Sequence, residues 1–582
     1  MRRLVLGCAL VILLSMPFLA AQAPPDLEQG MKPYGSYHGG AIDQVSLSNQ
    51  NLFLQAALFA YPQRGGELAY PVVLRYNSKN FSLYVPTCPQ GVKPGQGACP
   101  MRLVFNPNPF GSGSTSHGNS VTAGFEGWPG AGSNRINTGL VTNTGAAIFV
   151  FPSSVIMPDG SLHQFVPTDA GGATTDGSKF SGLADSHGTV YGNSAEDRNG
   201  NQIGVSSTGF TDTLGRQIPV APAPTLPPTA PNPSTASLGS CPALNYLNQP
   251  VTFAYTWNLP TVNIGTNGGT LPLILCYTSV YVRTGSSVGA PIIDVNMSFP
   301  MLQSVVFPDN TYWAFQYSAA DPNNTASLGY GDLLKVTFPT GGSITYIWSM
   351  WNDGCSGGYS RAVQTRTVDA NDGTGPQTWT YNSGIVTDPL RNDTVHTFTG
   401  LGGTCSYYET QTQYFQGPHS SGTLLKTVNT DYTFTANPWD SNLISQNGEG
   451  PSSVTNVLPI RVTTTLQNGQ TSRVETDYDS GFTYHGPLDG ITSYVQTCST
   501  DPTNPGCTYT SPTTYPVTNY TASYGKPIAE REYDWGQGAP GALLRQTLTT
   551  YKWQVNSAYK TANMLDLPAT VKTFNGAGNL CA

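Results

Sequence analysis

Residues 330–348, YGDLLKVTFPTGGSITYIW, constrain the fold more than any other stretch of the sequence. Two runs of alternating apolar and polar residues flank a Pro-Thr-Gly-Gly segment at 339–342. A period of two places alternate side chains on one face of a strand, and proline followed by glycine favours a reversal of the chain. The stretch therefore predicts a β-hairpin with one apolar face. That face is predicted to carry Leu334, Val336, Phe338, Ile344, Tyr346 and Trp348.

Looser versions of this pattern recur along the chain, for example at 68–76, where Pro71 predicts an edge or a bulge. The 64 glycines and 46 prolines suit a protein with many turns, and no long segment has helical apolar spacing. We therefore predict an all-β fold, an extended antiparallel β-ribbon of hairpins that curls into a partial shell with long Gly/Pro-rich loops.

The first residues predict the compartment. Arg2 and Arg3 precede an apolar run at 4–19, and a small-x-small site ends at Ala23. This is the pattern of a secretory signal peptide cleaved after Ala23, so we expect a secreted or cell-surface protein without a membrane span. Cleavage leaves 24 basic and 34 acidic residues, a net charge of −10. A general nucleic-acid binder needs a basic face, and this charge argues against that class.

Nine cysteines follow the signal peptide, and an oxidising compartment favours their pairing. Spacing cannot fix the connectivity, but the cysteines fall into local couples and leave Cys581 over. The couples are Cys88 with Cys99, Cys241 with Cys276, Cys355 with Cys405, and Cys498 with Cys507. No C-x-x-C pair is present, which argues against a zinc site.

Seven prolines between 217 and 233 predict a linker or loop, since proline donates no ladder hydrogen bond. With this boundary, we predict five segments along the chain. They are the signal peptide (1–23), an N-terminal β domain (24–216) with a Gly-rich insertion (106–146), the Pro-rich segment (217–240), a β domain (241–455), and further β repeats (456–582).

Several motifs occur together in a recognisable order. Pro-Asp-Gly or Pro-Asp-Asn turns lie at 157–161 and 307–311, and an Asp-x-Asn-Gly-Asn run lies at 197–201. An Asp-Thr-Leu-Gly-Arg segment lies at 212–216, and Tyr-Asp pairs end strands at 478–479 and 533–534. With the Tyr-Gly-Asp-Leu hairpin and the Arg-Gly-Gly turn at 64–66, this order resembles the RHS/YD-repeat proteins.

The resemblance implies a β-ribbon that spirals into a hollow shell, which in larger members encloses a C-terminal toxin or other cargo. The sequence has no Asp-Pro-x-Gly segment of the kind that closes such shells. We therefore expect the N-terminal part of a shell, whose partner is a toxin or effector cargo encoded downstream or a cell-surface polysaccharide.

No catalytic site, cofactor or metal site is predicted. The seven histidines, at positions 38, 117, 163, 187, 396, 419 and 485, are scattered. Oxygen side chains at Asp369, Asn371 and Asp372, and at Asp197, Asn199 and Asn201, could suit calcium. Ordinary turn chemistry explains both sets better.

Exposed aromatic side chains could stack on sugars. We expect Trp313, Trp348 and Trp379 to support neighbouring strands instead, whereas Trp128 and Trp535 lie in Gly-rich loops and are better candidates for an exposed contact. The sequence leaves two candidate functions. The first is a non-catalytic structural shell or surface module. The second is a secreted all-β carbohydrate-binding protein or glycoside hydrolase, which as a hydrolase would need paired carboxylates.

Overall fold

The computed structural model describes most of the chain after the predicted signal peptide. The described residues are 34–65, 68–78, 81–84, 101–105, 119–123, 154–156, 162–164, 190–191, 194–206, 209–222, 224, 234–261, 269–285, 292–352, 359–401, 407–436, 454–485, 492–493, 496–498, 507–509, 513–514, 519–562 and 564–581. The predicted signal peptide, the turn at 157–161 and Trp128 lie outside them. Within these ranges, no helix has the length and apolar character needed to cross a membrane.

The N-terminal strands form small antiparallel sheets. One has the order β1-β2-β3-β4-β7, one runs in order from β10 to β14, and β8 pairs with β9. The strands are β1 (Tyr37–Gly39), β2 (Asp43–Ser46), β3 (Leu52–Pro62), β4 (Ala69–Asn77), β5 (Phe81–Tyr84), β6 (Met101–Phe105), β7 (Asn119–Ala123), β8 (Ser154–Ile156), β9 (Leu162–Gln164), β10 (Val190–Tyr191), β11 (Ser194–Glu196), β12 (Gln202–Ser206), β13 (Gly209–Asp212) and β14 (Gln217–Pro219).

A single sheet of 17 antiparallel strands dominates the rest of the molecule, and its strands follow one another in chain order. They are β15 (Val251–Pro260), β16 (Thr270–Arg283), β18 (Asn296–Val306), β19 (Tyr312–Tyr317), β20 (Leu333–Thr337), β21 (Ser343–Asn352), β22 (Tyr359–Asp369), β23 (Gln377–Asn382), β24 (Ile385–Thr387), β25 (Asp393–Gly400), β26 (Tyr407–Gln416), β27 (Thr423–Ala436), β28 (Val454–Leu466), β29 (Gln470–Tyr478), β36 (Pro527–Gln537), β37 (Leu543–Tyr551) and β38 (Pro568–Asn575). The predicted all-β class is confirmed.

The remaining elements are short. β17 (Ile292–Ile293) pairs in parallel with β6, which pairs in turn with β5. The other strands, which pair among themselves, are β30 (Phe482–His485), β31 (Thr492–Ser493), β32 (Gln496–Cys498), β33 (Cys507–Tyr509), β34 (Thr513–Thr514) and β35 (Asn519–Ala522). A 3₁₀ turn lies at Leu238–Ser240, and two short helices are α1 (Lys552–Val555) and α2 (Ser557–Thr561).

One turn geometry connects several of the strands. Asp212 Oδ1 accepts the backbone N–H groups of Leu214 at 3.0 Å and Arg216 at 2.9 Å. Gly215 follows with a φ of +78°, the left-handed conformation that glycine adopts without a Cβ penalty. The turn at 197–201 repeats these bonds around Asp197 and Gly200. An aspartate and a residue with positive φ three positions later thus specify the turn locally, as the sequence predicts.

The hairpin at 330–348 is confirmed, with one correction on its first arm. Leu333, not Leu334, is fully buried together with Val336. Tyr317 pairs with Leu333 and Gln316 with Lys335, so Leu334 is the extra residue of a β-bulge. A bulge interrupts the alternation of side chains, which is why a strict period of two misplaces Leu334.

The two ends of the long sheet differ in packing. Strands β15 to β24, the packed half, share one hydrophobic core with β2, β3 and β4, with Trp257, Tyr277 and Tyr346 among its largest members. Strands of the sheet from β25 to β38, the open half, have most of their side chains half-buried or exposed. Most of the buried apolar residues in this part of the molecule form two small local clusters, around Tyr408 and Tyr524.

The segment predicted as a Pro-rich linker contacts this core. Gln217–Pro219 pair with β13 as an edge strand, and Ile218 is buried. Trp257 donates its indole N–H to the carbonyl of Pro219 at 2.9 Å. Pro71 lies where β4 pairs with β3 alone, because the ladder of β4 with β7 begins at Val72. The predicted edge position of this proline is confirmed.

One predicted cysteine couple is closed in the described residues. Cys241 and Cys276 form a disulfide with their Cα atoms 6.0 Å apart. Cys498 and Cys507 lie directly opposite each other on β32 and β33. Cys581 is a free, exposed thiol. The four other cysteines after the predicted signal peptide lie outside the described residues, so their pairing stays a prediction.

Candidate functional site

A buried polar cluster joins the N-terminal segment to the long sheet. Asp43 on β2 and Arg366 on β22 form a bidentate ion pair, in which Arg366 Nη2 donates to Asp43 Oδ1 at 2.8 Å. Tyr346 donates its hydroxyl to Asp43 Oδ2, also at 2.8 Å. Burial and the neighbouring Asp43 raise the pKa of Tyr346 well above its ordinary value. The cluster therefore holds a neutral tyrosine and a satisfied ion pair.

His38 extends this cluster along β1. Its Nδ1 lies 2.8 Å from the hydroxyl of Tyr381, and its ring packs edge-on against the same side chain. Burial, reinforced by the charge of Arg366, lowers the pKa of His38. The ring also lies beside Trp379. A neutral histidine whose Nδ1 contacts a tyrosine of raised pKa is not held by a carboxylate as a catalytic base.

Ser36, His396 and Glu409 form the nearest approach to a catalytic triad. His396 Nδ1 lies 2.5 Å from Glu409 Oε1, and the Ser36 hydroxyl donates to Glu409 Oε2. A triad requires the histidine between the serine and the carboxylate, whereas here the carboxylate lies between the other two. Burial opposes ionisation of Glu409, but the hydrogen bonds from His396 and Ser36 leave its pKa below the ordinary value.

The other predicted candidates are structural wherever the structure describes them. His419 Nδ1 and its backbone N–H both contact Asp393 Oδ2, at 2.7 and 2.8 Å. Only the backbone is described for His163 and His485, and His117 and His187 lie outside the described residues.

In the oxygen-rich turns, the carboxylate oxygens accept hydrogen bonds from backbone N–H groups of the same turn. Asp369 Oδ1 accepts the N–H of Asn371 at 2.9 Å, and Asp372 Oδ1 accepts the N–H of Thr374 at 3.0 Å. Asp197 caps its turn in the same way. Among the described residues, no group of three or more acidic, histidine or cysteine side chains is placed to hold a metal ion.

The four described tryptophans among those singled out from the sequence divide as predicted. Trp348 donates to the carbonyl of Leu333 at 2.8 Å, Trp313 packs edge-on against Phe338, and Trp379 lies under the Arg366 guanidinium. All three pack against the core. The side chain of Trp535, in contrast, is 41% exposed.

The long sheet has two distinguishable faces. We define the inner face as the one that carries Tyr346, Arg366 and His396 and contacts the N-terminal segment. Residues directly opposite each other share a face, so the inner face continues from His396 through Thr412, Val428, Thr464 and Ser472. The inner face thus extends from the packed half into the open half.

The opposite, outer face of the open half carries paired charges. One row across four strands contains Asp431, Arg461, Glu475 and Arg531. Arg461 lies 3.2 Å from Asp431 and 3.3 Å from Glu475. A cleft of about 600 Å³ opens beside this row. The acidic residues that line this cleft are Glu475, Asp477 and Asp479.

Each of these three acidic residues is already engaged. Glu475 contacts Arg461, Asp477 pairs with Arg531, and Asp479 accepts the backbone N–H groups of Tyr524 and Lys526.

The sequence does not predict the polar cluster around Asp43, because the partners of Asp43 lie more than 300 positions away along the chain.

Comparison with known proteins adds no family assignment. No family model matches the chain, and no curated protein matches it. The RHS/YD-repeat resemblance therefore rests on the motifs quoted above.

Proposed function

We propose that this chain is a secreted, non-catalytic structural protein of the RHS/YD-repeat type. Its sheet would form part of a β-shell that encloses or presents a partner or toxin cargo at the cell surface. The observation that carries this proposal is the inner face. Within the described residues, the N-terminal segment covers this face in the packed half and reaches Glu409 on β26, and the large hydrophobic core does not continue along it over the later strands.

The chemistry of this face supports a wall more than an active site. Thr412, Val428, Thr464 and Ser472 present small polar and β-branched side chains in one row. Such rows stabilise a sheet through cross-strand contacts. They also leave a surface that a second protein layer can cover without burying unpaired charge.

A pair of single-cysteine variants tests the proposal. Thr464→Cys places a thiol on the inner face, and Thr463→Cys places one on the outer face of the same strand. Both are made in a Cys581→Ser background, and maleimide labelling is compared between the purified chain and the assembly isolated from producing cells. We expect Thr464→Cys alone to become protected in the assembly. Equal labelling of both variants there would contradict an enclosed or covered inner face.

The second predicted class, a glycoside hydrolase, makes a different demand. It needs two carboxyl groups flanking a bound sugar, one of them able to give up a proton. The acidic residues of the cleft are instead held by arginines or backbone N–H groups. A hydrolysis screen separates the classes, since turnover that is lost in Glu475→Gln and Asp477→Asn would end the non-catalytic proposal.

A further inference from the structure

The cleft beside the charged row differs from the inner face in shape and chemistry. It lies between the ends of β28 and β29 and the segment that leads into β36, and its walls include Thr433, Arg461, Glu475, Asp477, Tyr478 and Ser523. Its volume of about 600 Å³ is in the range of small-ligand sites. From these walls we infer that the cleft binds a neutral saccharide segment.

Each charged side chain of the cleft wall already has a partner. Arg461 pairs with Glu475, and Asp477 pairs with Arg531, which lies outside the wall. Asp479 accepts two backbone N–H groups. A phosphate or nucleic-acid ligand requires an excess of positive charge, and a cationic ligand requires unpaired carboxylates. A wall whose charged groups all have partners favours a ligand without net charge.

The charged groups still have capacity for further hydrogen bonds. The side chains of Arg461 and Asp477 are 44% and 48% exposed. A guanidinium has five N–H donors and a carboxylate has about four acceptor positions, so one partner does not saturate either group. A sugar hydroxyl both donates and accepts, and a run of hydroxyls matches a wall on which donors and acceptors alternate.

Neighbouring contacts fix these side chains before any ligand arrives. Glu475 Oε2 accepts the Tyr533 hydroxyl at 3.1 Å, and Arg473 lies 4.7 Å above the Tyr533 ring. Tyr478 donates its hydroxyl to the carbonyl of Pro459 at 2.9 Å. Side chains already held in place lose little conformational freedom on binding. The half-buried side chain of Tyr478 adds an apolar part of the wall for the C–H groups of a sugar ring.

The test is a titration of the full secreted chain by isothermal calorimetry and saturation-transfer NMR. The probes are maltotriose, cellotriose, chitotriose and mannotriose. We expect saturable binding of at least one of them with a Kd of about 1 mM or below. No saturable signal with any of the four would overturn the inference.

Matched variants locate the binding. Asp477→Ala removes an acceptor from the cleft wall, and we expect it to weaken binding about tenfold or more. Asp431→Ala removes the other carboxylate partner of Arg461, which is not part of the cleft wall, and should change the Kd less than about twofold. Equal effects of the two variants would place the sugar elsewhere and overturn the assignment. Circular dichroism of each variant checks that the sheet is retained. The outcome of the sugar titration is independent of the maleimide labelling that tests the proposed function.

Discussion

The packed and open halves of the long sheet use the same strands and turns but different sources of stability. In the packed half, Trp257, Tyr277 and Tyr346 are buried against the N-terminal sheets. In the open half, Leu544 and Val571 remain 50% and 59% exposed, and the clearest cross-strand contacts are ion pairs and threonine pairs. Hydrophobic burial contributes far more than exposed ion pairs. A continuous ladder of backbone hydrogen bonds therefore does not by itself make both halves of the sheet equally stable.

The largest difference between the halves should appear for tryptophan. Trp257→Ala removes a side chain that is 1% exposed and should lower the free energy of unfolding by about 3–5 kcal/mol. Trp535→Ala in the open half, at 41% exposure, should change it by less than about 0.5 kcal/mol. Urea unfolding followed by circular dichroism measures both, and similar costs would erase the distinction.

The same contrast holds for carboxylates. Asp43→Ala leaves Arg366 buried without its ion-pair partner and should cost about 3–5 kcal/mol. Asp431→Ala removes an exposed partner of Arg461 and should cost about 0–1 kcal/mol. Urea midpoints of the two variants provide the measurement. A cost below 1 kcal/mol for Asp43→Ala would mean that the N-terminal segment is not held by this cluster.

Removing the disulfide should weaken the packed half. Cys241 and Cys276 are 35 positions apart, and a loop of that length corresponds to about 3–4 kcal/mol in the chain-entropy account. The double variant Cys241→Ser with Cys276→Ser should lower the thermal midpoint, whereas Cys581→Ser should not. An unchanged midpoint in the double variant would show that packing alone fixes β16.

The smallest expected effect is on the pH dependence of stability in the acid range. The pKa of His38 is lowered in the folded chain, so below pH 6.5 the unfolded chain binds more protons and stability falls. Glu409, whose folded pKa is also lowered, adds a loss as the pH falls below its ordinary value of 4.5. His38→Gln should therefore flatten the pH dependence of the urea midpoint just below pH 6.5. An unchanged slope would assign the acid loss to other groups.

The elements that the sequence predicts are those that local chemistry determines. The turns at 197–201 and 212–216 depend on a carboxylate and a glycine within five residues. Burial of Ile344 and Tyr346 depends on period-two patterning. Leu334 was misplaced because nothing local signals the bulge opposite Gln316 and Tyr317.

The polar cluster could not be predicted for a related reason. Asp43 and Arg366 meet only because several strands bring β2 and β22 together. In the sequence, a single charged residue within a strand predicts no more than a solvent-exposed position. The difference between the packed and open halves has the same origin, because alternation predicts that a strand has two faces but not which face another layer covers.

The contacts of the last strand in the open half show how the width of the long sheet is determined. Thr547 contacts Thr573 across β37 and β38, and the far side of β38 meets the last described residues, 579–581. Neighbouring strands are spaced about 4.8 Å apart, so each added or deleted hairpin changes the width by about 10 Å and leaves the distant core untouched. The width of such a sheet is therefore set by the number of its hairpins.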